Sequence, residues 1–145
     1  MAPKFYSKEW CEAVAKKANS DPEYLKKAKN FTVKYIFVIT DCPDGNDVKV
    51  LWDYQQGKIA NWTWEAKKAP SSFRIGQEPW DESISLIKNQ LSCTTMAKVL
   101  KKEVTGLGAI GAKLWKMQGD LVKGLKFQPY NALISDIQAS VPWED

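Results

Sequence analysis

The chain has 145 residues, of which 44% are hydrophobic, 26% charged and 12% aromatic; a water-soluble domain of this size buries roughly 68% of its unfolded surface without disulfide or metal staples. Histidine is absent, which excludes Ser-His-Asp and Cys-His nucleophiles, His-ligated zinc and imidazole proton shuttles. Lysine and arginine outnumber the acids 21 to 17, for a net charge of +4, and Arg74 is the sole arginine, so the surface lacks the guanidinium forks with which nucleic-acid readers hold base edges.

The longest strongly apolar run, Tyr35 to Ile39, falls far short of the roughly 20 residues that span a bilayer, and Met1 to Tyr6 carry no signal-peptide apolar region. Cys11, Cys42 and Cys93 are dispersed without a CxxC pair, as free thiols in a reducing compartment would be. The expectation is one cytoplasmic domain over residues 1–145, with its core at about 8–138.

Ser7 is placed to cap a helix from Lys8 to Asn19 with Trp10, Val14 and Ala18 on one face, and Pro22 to Lys29 restarts the helical pattern with proline in its first turn. From Phe31 the period changes to two. Residues 31–40, 48–54 and 59–67 alternate apolar with polar side chains around turns at Asp41 to Asp47 and Gln55 to Lys58, predicting a three-stranded antiparallel meander with one aromatic and one wet face. Residues 72–76 read as a short fourth strand with Phe73 and Ile75 in phase. Trp80, Ile84, Ile87 and Leu91 recur at helical spacing, predicting a helix from Pro79 to Leu91 that continues from Ser92 to Thr105. Gly106 to Gly111 then reads as a flexible connection, 113–118 as a fifth strand, and Asp120 as the cap of a last helical stretch broken at Pro129 and ending near Gln138. The order gives an α+β domain: a five-stranded, largely antiparallel sheet covered by helices on one face.

Gly106-Leu-Gly-Ala-Ile-Gly111 has the glycine spacing of a dinucleotide fingerprint, but a predicted helix precedes it and a strand follows, the reverse of what places pyrophosphate on a helix N-terminus. Asp41, Asp44 and Asp47 fail the calcium-loop pattern because Pro43 and Gly45 stand where oxygen ligands belong. Cys93 stands near a predicted helix start, where a thiol's pKa falls, yet with no histidine or evident base it reads as a buried, inert thiol. Asp53 and Glu65 lie on the wet strand face, so no catalytic pair is singled out. What remains is aromatic: seven tryptophans, three of them (Trp52, Trp62 and Trp64) on consecutive strands. The pattern alone leaves them equally a solid core or the wall of an apolar pocket.

Ile84-Ser-Leu-Ile-Lys, Met96-Ala-Lys-Val-Leu, and the run from Gly111-Ala-Lys-Leu-Trp-Lys-Met-Gln-Gly-Asp120 into Leu121-Val-Lys-Gly-Leu-Lys-Phe resemble the sterol carrier protein-2 family of lipid-binding domains, and the element order of the first half agrees with it from about Lys8 to Ile137. The Gly-Lys-Leu element of that family reads Gly-Ala-Lys-Leu here, and the chain ends in Pro142-Trp-Glu-Asp145 rather than Ser-Lys-Leu. The resemblance implies an apolar tunnel between sheet and helices and a non-catalytic carrier of sterols, fatty acids or fatty acyl-CoA. The alternatives are an accessory subunit presenting an apolar substrate to a partner enzyme and, more weakly, a nucleic-acid or surface-binding module. Convergent apolar stripes select Trp52, Trp62, Trp64, Ile84, Ile87, Met96, Leu100, Trp115, Met117, Leu121 and Leu125 as ligand-binding candidates. No catalytic residue, cofactor, metal or nucleic-acid partner is expected. Lys98, Lys101, Lys102, Lys113, Lys116, Lys123 and Lys126 are candidates for transient contact with an anionic membrane.

Overall fold

Ser7 accepts a hydrogen bond from the Trp10 N–H and so starts α1 (Lys8–Ser20), whose inward stripe buries Trp10, Cys11, Val14, Ala15 and Ala18. Asp21 ends α1 and begins α2 (Pro22–Lys27), its carboxylate accepting from the Tyr24 N–H while proline occupies the first turn. These helices open a computed structural model that describes residues 2–144.

The meander forms as its period-two pattern predicts. β1 (Val33–Thr40), β2 (Asn46–Gln55) and β3 (Lys58–Lys68) pair antiparallel, with Tyr35 opposite Trp52 and Trp52 opposite Trp62. β4 (Ile87–Ser92) lies parallel to β1, and β5 (Trp115–Gly119) antiparallel to β4. The five-stranded sheet has the order β3-β2-β1-β4-β5 and is therefore mixed, the β1–β4 pair being the parallel step. α3 (Cys93–Leu100) follows β4 directly, with Ser92 as its cap. α4 (Gly106–Gly111) precedes β5, and α5 (Leu121–Leu125) and α6 (Gln128–Ser140) complete the chain.

Four expectations are corrected. Residues 79–91 are not a helix: they are turns followed by β4, so Ile84 and Ile87 share no helical stripe. β4 is interior and buried on both faces, with Lys88 and Asn89 buried beside Ile87 and Leu91, so it shows neither the alternation of a half-exposed strand nor a continuous apolar run. Residues 72–76 form turns with a single bridge between Ile75 and Glu78 rather than a strand. The glycine-rich connection is the short helix α4, started by Thr105 accepting from the Gly108 N–H. Pro129 sits in the first turn of α6, where proline begins a helix rather than breaking one.

The main core lies between one sheet face and the helices, around Trp10, Phe31, Val50, Trp52 and Leu91. The face expected to be wet carries a second small core, in which Phe73 from the 69–86 segment packs on Ile36 and Val38 with Leu51 beside them. Polar clamps hold that segment down. The fully buried Asp47 carboxylate accepts from the Ser71 hydroxyl at 2.7 Å, the Ser71 N–H at 2.9 Å and Arg74 Nε at 2.9 Å. Glu78 bridges Lys49 at 3.2 Å and the buried Lys88 at 3.0 Å. The three turn aspartates thus share no common centre: Asp41 and Asp47 both accept from Arg74, while Asp44 accepts from Asn46.

Candidate functional site

The candidate residues fall into two groups toward opposite edges of one sheet face. Trp52, Trp62 and Trp64 sit on β2 and β3, on the α1 side, with the Trp52 and Trp62 ring centroids 6.1 Å apart and Trp64 Nε1 donating to the Tyr6 carbonyl at 3.0 Å. Trp52 is fully buried. Trp115 and Met117 lie on β5, four strand positions from β3, or roughly 19 Å at about 4.8 Å per strand. One small pocket cannot hold both groups.

The second group is built around β4, β5 and α5. Asn89 crosses the strands, its Nδ2 donating to the Ile36 carbonyl at 3.3 Å while Oδ1 accepts from Trp115 Nε1 at 3.0 Å. This fixes the indole beside Phe37, with ring centroids 6.4 Å apart. Ile87 is buried below α5, and the α-carbon of Gly124 faces it so closely that an added Cβ would collide with Ile87 Cδ1. Gly119, at φ +135°, brings the end of β5 against the Leu86 carbonyl, where a side chain would also collide. Met96 and Leu100 of α3 belong to the same buried core, with Trp115, Met117 and Phe127 partly covered at its margin.

α5 covers this corner with few attachments. None of its residues is buried, and Leu121, Val122 and Leu125 are 46%, 80% and 65% exposed. It is tied down by the Asp120 N–H donating to the Leu86 carbonyl at 3.2 Å and by a Lys123–Glu82 ion pair of 3.0 Å. Glu82 is the main cause that raises the Lys123 pKa, with Asp120 adding to it. Ile84 is half exposed beside this ion pair in sequence, and Leu114 and Leu107 are exposed near the other end of β5. Two open concavities lie elsewhere: a groove of about 610 Å³ between α1 and β3, lined by Glu12, Lys16, Asn19 and Trp62 among others, and a cleft of about 260 Å³ between α2 and α6. Neither reaches the β4–β5 group.

Sequence reasoning missed Asn89, which the helical reading turned into an anonymous polar residue. It also missed Phe127 and Tyr130, which pack on Phe31 with centroids 5.8 and 4.8 Å away; an aromatic pair three residues apart entering an amphipathic helix was the available signal. Of the lysines considered for membrane contact, Lys102 pairs with Asp136 at 3.8 Å, Lys123 with Glu82, and Lys101 lies over the Trp143 ring. Among the described residues no helix is long and apolar enough to cross a membrane, and no cluster of Cys, Asp or Glu could hold a metal ion.

No protein-family model matches the chain, and no curated protein matches it significantly by sequence. Solved structures do match. A Thermus thermophilus conserved hypothetical protein, described as possibly a sterol carrier protein, superposes with a TM-score of 0.71 at 15% identity, over 97% of this chain and 92% of its own. A crystal structure of sterol carrier protein 2 gives a TM-score of 0.68 at 16% identity, over 96% and 100%. The apo form of sterol carrier protein 2 from Yarrowia lipolytica gives 0.53 at 14%, over 97% of each chain. The mixed five-stranded sheet and its one-sided helical cover are therefore the sterol carrier protein 2 fold.

Proposed function

We propose that the protein is a non-catalytic carrier of apolar ligands, taking a sterol, a fatty acid or the acyl chain of a fatty acyl-CoA between β4, β5 and the helices, with α5 as the cover. The observation that carries this reading is the state of α5. A five-residue helix with no buried side chain, docked through Gly124 on Ile87 and held by one backbone hydrogen bond and one exposed ion pair, lifts at little cost. Beneath it stands Ile87, and Met117, Trp115, Met96 and Leu100 belong to the same core. On this proposal the ligand-binding residues are Ile84, Ile87, Met96, Leu100, Trp115, Met117, Leu121 and Leu125, whereas Trp52, Trp62 and Trp64 serve as packing under α1. Each methylene leaving water contributes about 0.8 kcal/mol, so a long acyl chain supplies ample gross driving force for micromolar binding after ordering costs.

A second reading, presentation of an apolar substrate to a partner enzyme, draws support from the exposure of Leu107, Leu114, Val122 and Leu125, since apolar side chains left in water suit a docking surface. Native mass spectrometry of freshly purified protein, followed by solvent extraction, tests the proposal. A retained lipid released on denaturation is expected; protein that carries none, and takes up none from added fatty acid or sterol, contradicts it. Contact with an anionic membrane is a further part of the proposal, and there vesicle binding should weaken steeply as salt rises through the physiological range.

A further inference from the structure

The end of the β1–β4 pair brings together two thiols that the proposed carrier function does not use. Thr40 and Ser92 are partners in the parallel register, so their backbones run about 4.8 Å apart. Cys93 is the next residue after Ser92 and the first of α3, while Cys42 follows Asp41, whose left-handed φ of +53° turns the chain back. Neither cysteine is in a disulfide, and both belong to one core cluster, 8% and 6% exposed. The Cys93 thiol is the hydrogen-bonding neighbour of Cys42, and Cys42 Sγ also lies 3.6 Å from the Ile39 carbonyl. The third cysteine, Cys11, stands on α1.

We infer that Cys42 and Cys93 form an oxidation site, closing to an intramolecular disulfide when a small hydroperoxide reaches them. Cys93 is the attacking sulfur: it lies in the first turn of a capped helix, where N–H groups favour a thiolate. Cys42 keeps its proton, because its hydrogen bond towards Cys93 and its burial both push its pKa up. The Cys93 thiolate attacks a peroxide oxygen, breaking the O–O bond to give a sulfenic acid and hydroxide, which takes up the proton that Cys93 released. Cys42 sulfur then attacks Cys93 sulfur, and the sulfenic hydroxyl leaves as water with the Cys42 proton. Two thiols are oxidised and one hydrogen peroxide is reduced to two waters. The turn around Cys42 is exposed at Asp41, Pro43, Asp44 and Gly45, so its local opening admits an oxidant as small as peroxide.

The test is to treat the native protein with hydrogen peroxide, alkylate the remaining thiols and map peptides. The expected product has lost two hydrogens, joins Cys42 to Cys93 and leaves Cys11 alkylated; Cys11→Ser should form the same link. In Cys42→Ser the link should vanish, with a Cys93 sulfenic acid trapped by dimedone instead. Three thiols still free after oxidation, or links that involve Cys11, overturn the assignment. The readout is a covalent bond and does not depend on whether the protein binds lipid.

Discussion

Asp47 shows how a single residue holds the second face of the sheet. Burial on its own would raise its pKa, but hydrogen bonds from Arg74, Ser71 and the Asp41 N–H outweigh that and hold the carboxyl far below the ordinary range. A carboxylate depressed in the folded state contributes stability above its unfolded pKa of about 3.9 and loses it as pH falls further. Asp47→Asn should therefore cost about 2–4 kcal/mol at neutral pH, since it leaves Arg74 without its buried partner. It should also flatten the pH dependence: in urea titrations the parent loses more stability between pH 6 and pH 3 than the variant does. Equal losses would mean that Asp47 titrates alike in both states. A calcium-loop pattern could be rejected from the sequence, but the real partners of this aspartate could not be read there, because Ser71 and Arg74 are more than twenty residues away and on the opposite side of a hairpin.

At the scale of elements, legibility follows burial. α1 and β2 were readable because each is half covered: one stripe of a helix, or one side chain in two, meets the core. β4 was not, because it is interior and its buried side chains include Lys88, neutralised by Glu78, and Asn89, satisfied by Ile36 and Trp115. Tertiary partners allowed polar residues where the pattern required apolar ones, and a chance helical spacing of Trp80, Ile84, Ile87 and Leu91 filled the gap. The 69–86 segment was unreadable as a cover because it has no period, yet Phe73 is 1% exposed on Ile36 and Val38. Phe73→Ala should cost about 3–5 kcal/mol and open residues 69–86 to proteolysis ahead of the rest; unchanged cleavage would show that the clamps alone hold the segment. Gly124→Ala places a methyl against Ile87 while favouring helix by about 1 kcal/mol. The domain should stay folded with α5 undocked, and fatty-acid association measured by stopped flow should speed up several-fold. An unchanged association rate would remove α5 from the entry path.

Over the whole molecule, the sheet order separates what sequence spacing joined. Eleven apolar candidates looked like one cavity because strands and helices each supplied a stripe, but β3 and β5 are opposite edges, so the tryptophans of the meander and the β4–β5 group belong to different ends of one face. Ile87, Trp115 and Met117 were legible as apolar and inward; that α5 docks on Ile87 through a glycine was not, since the contact joins residues 37 positions apart. The central claim is that an apolar chain enters beneath α5. Calorimetric titration with fatty acids of increasing chain length, in the parent and in Met117→Trp, tests it most directly. Affinity should rise by up to roughly fourfold per methylene until the space is full, and the added indole at Met117 should end that rise at a shorter chain in a protein that remains folded. Affinity flat across the series, or a substituted protein that binds every chain as the parent does, would contradict the account.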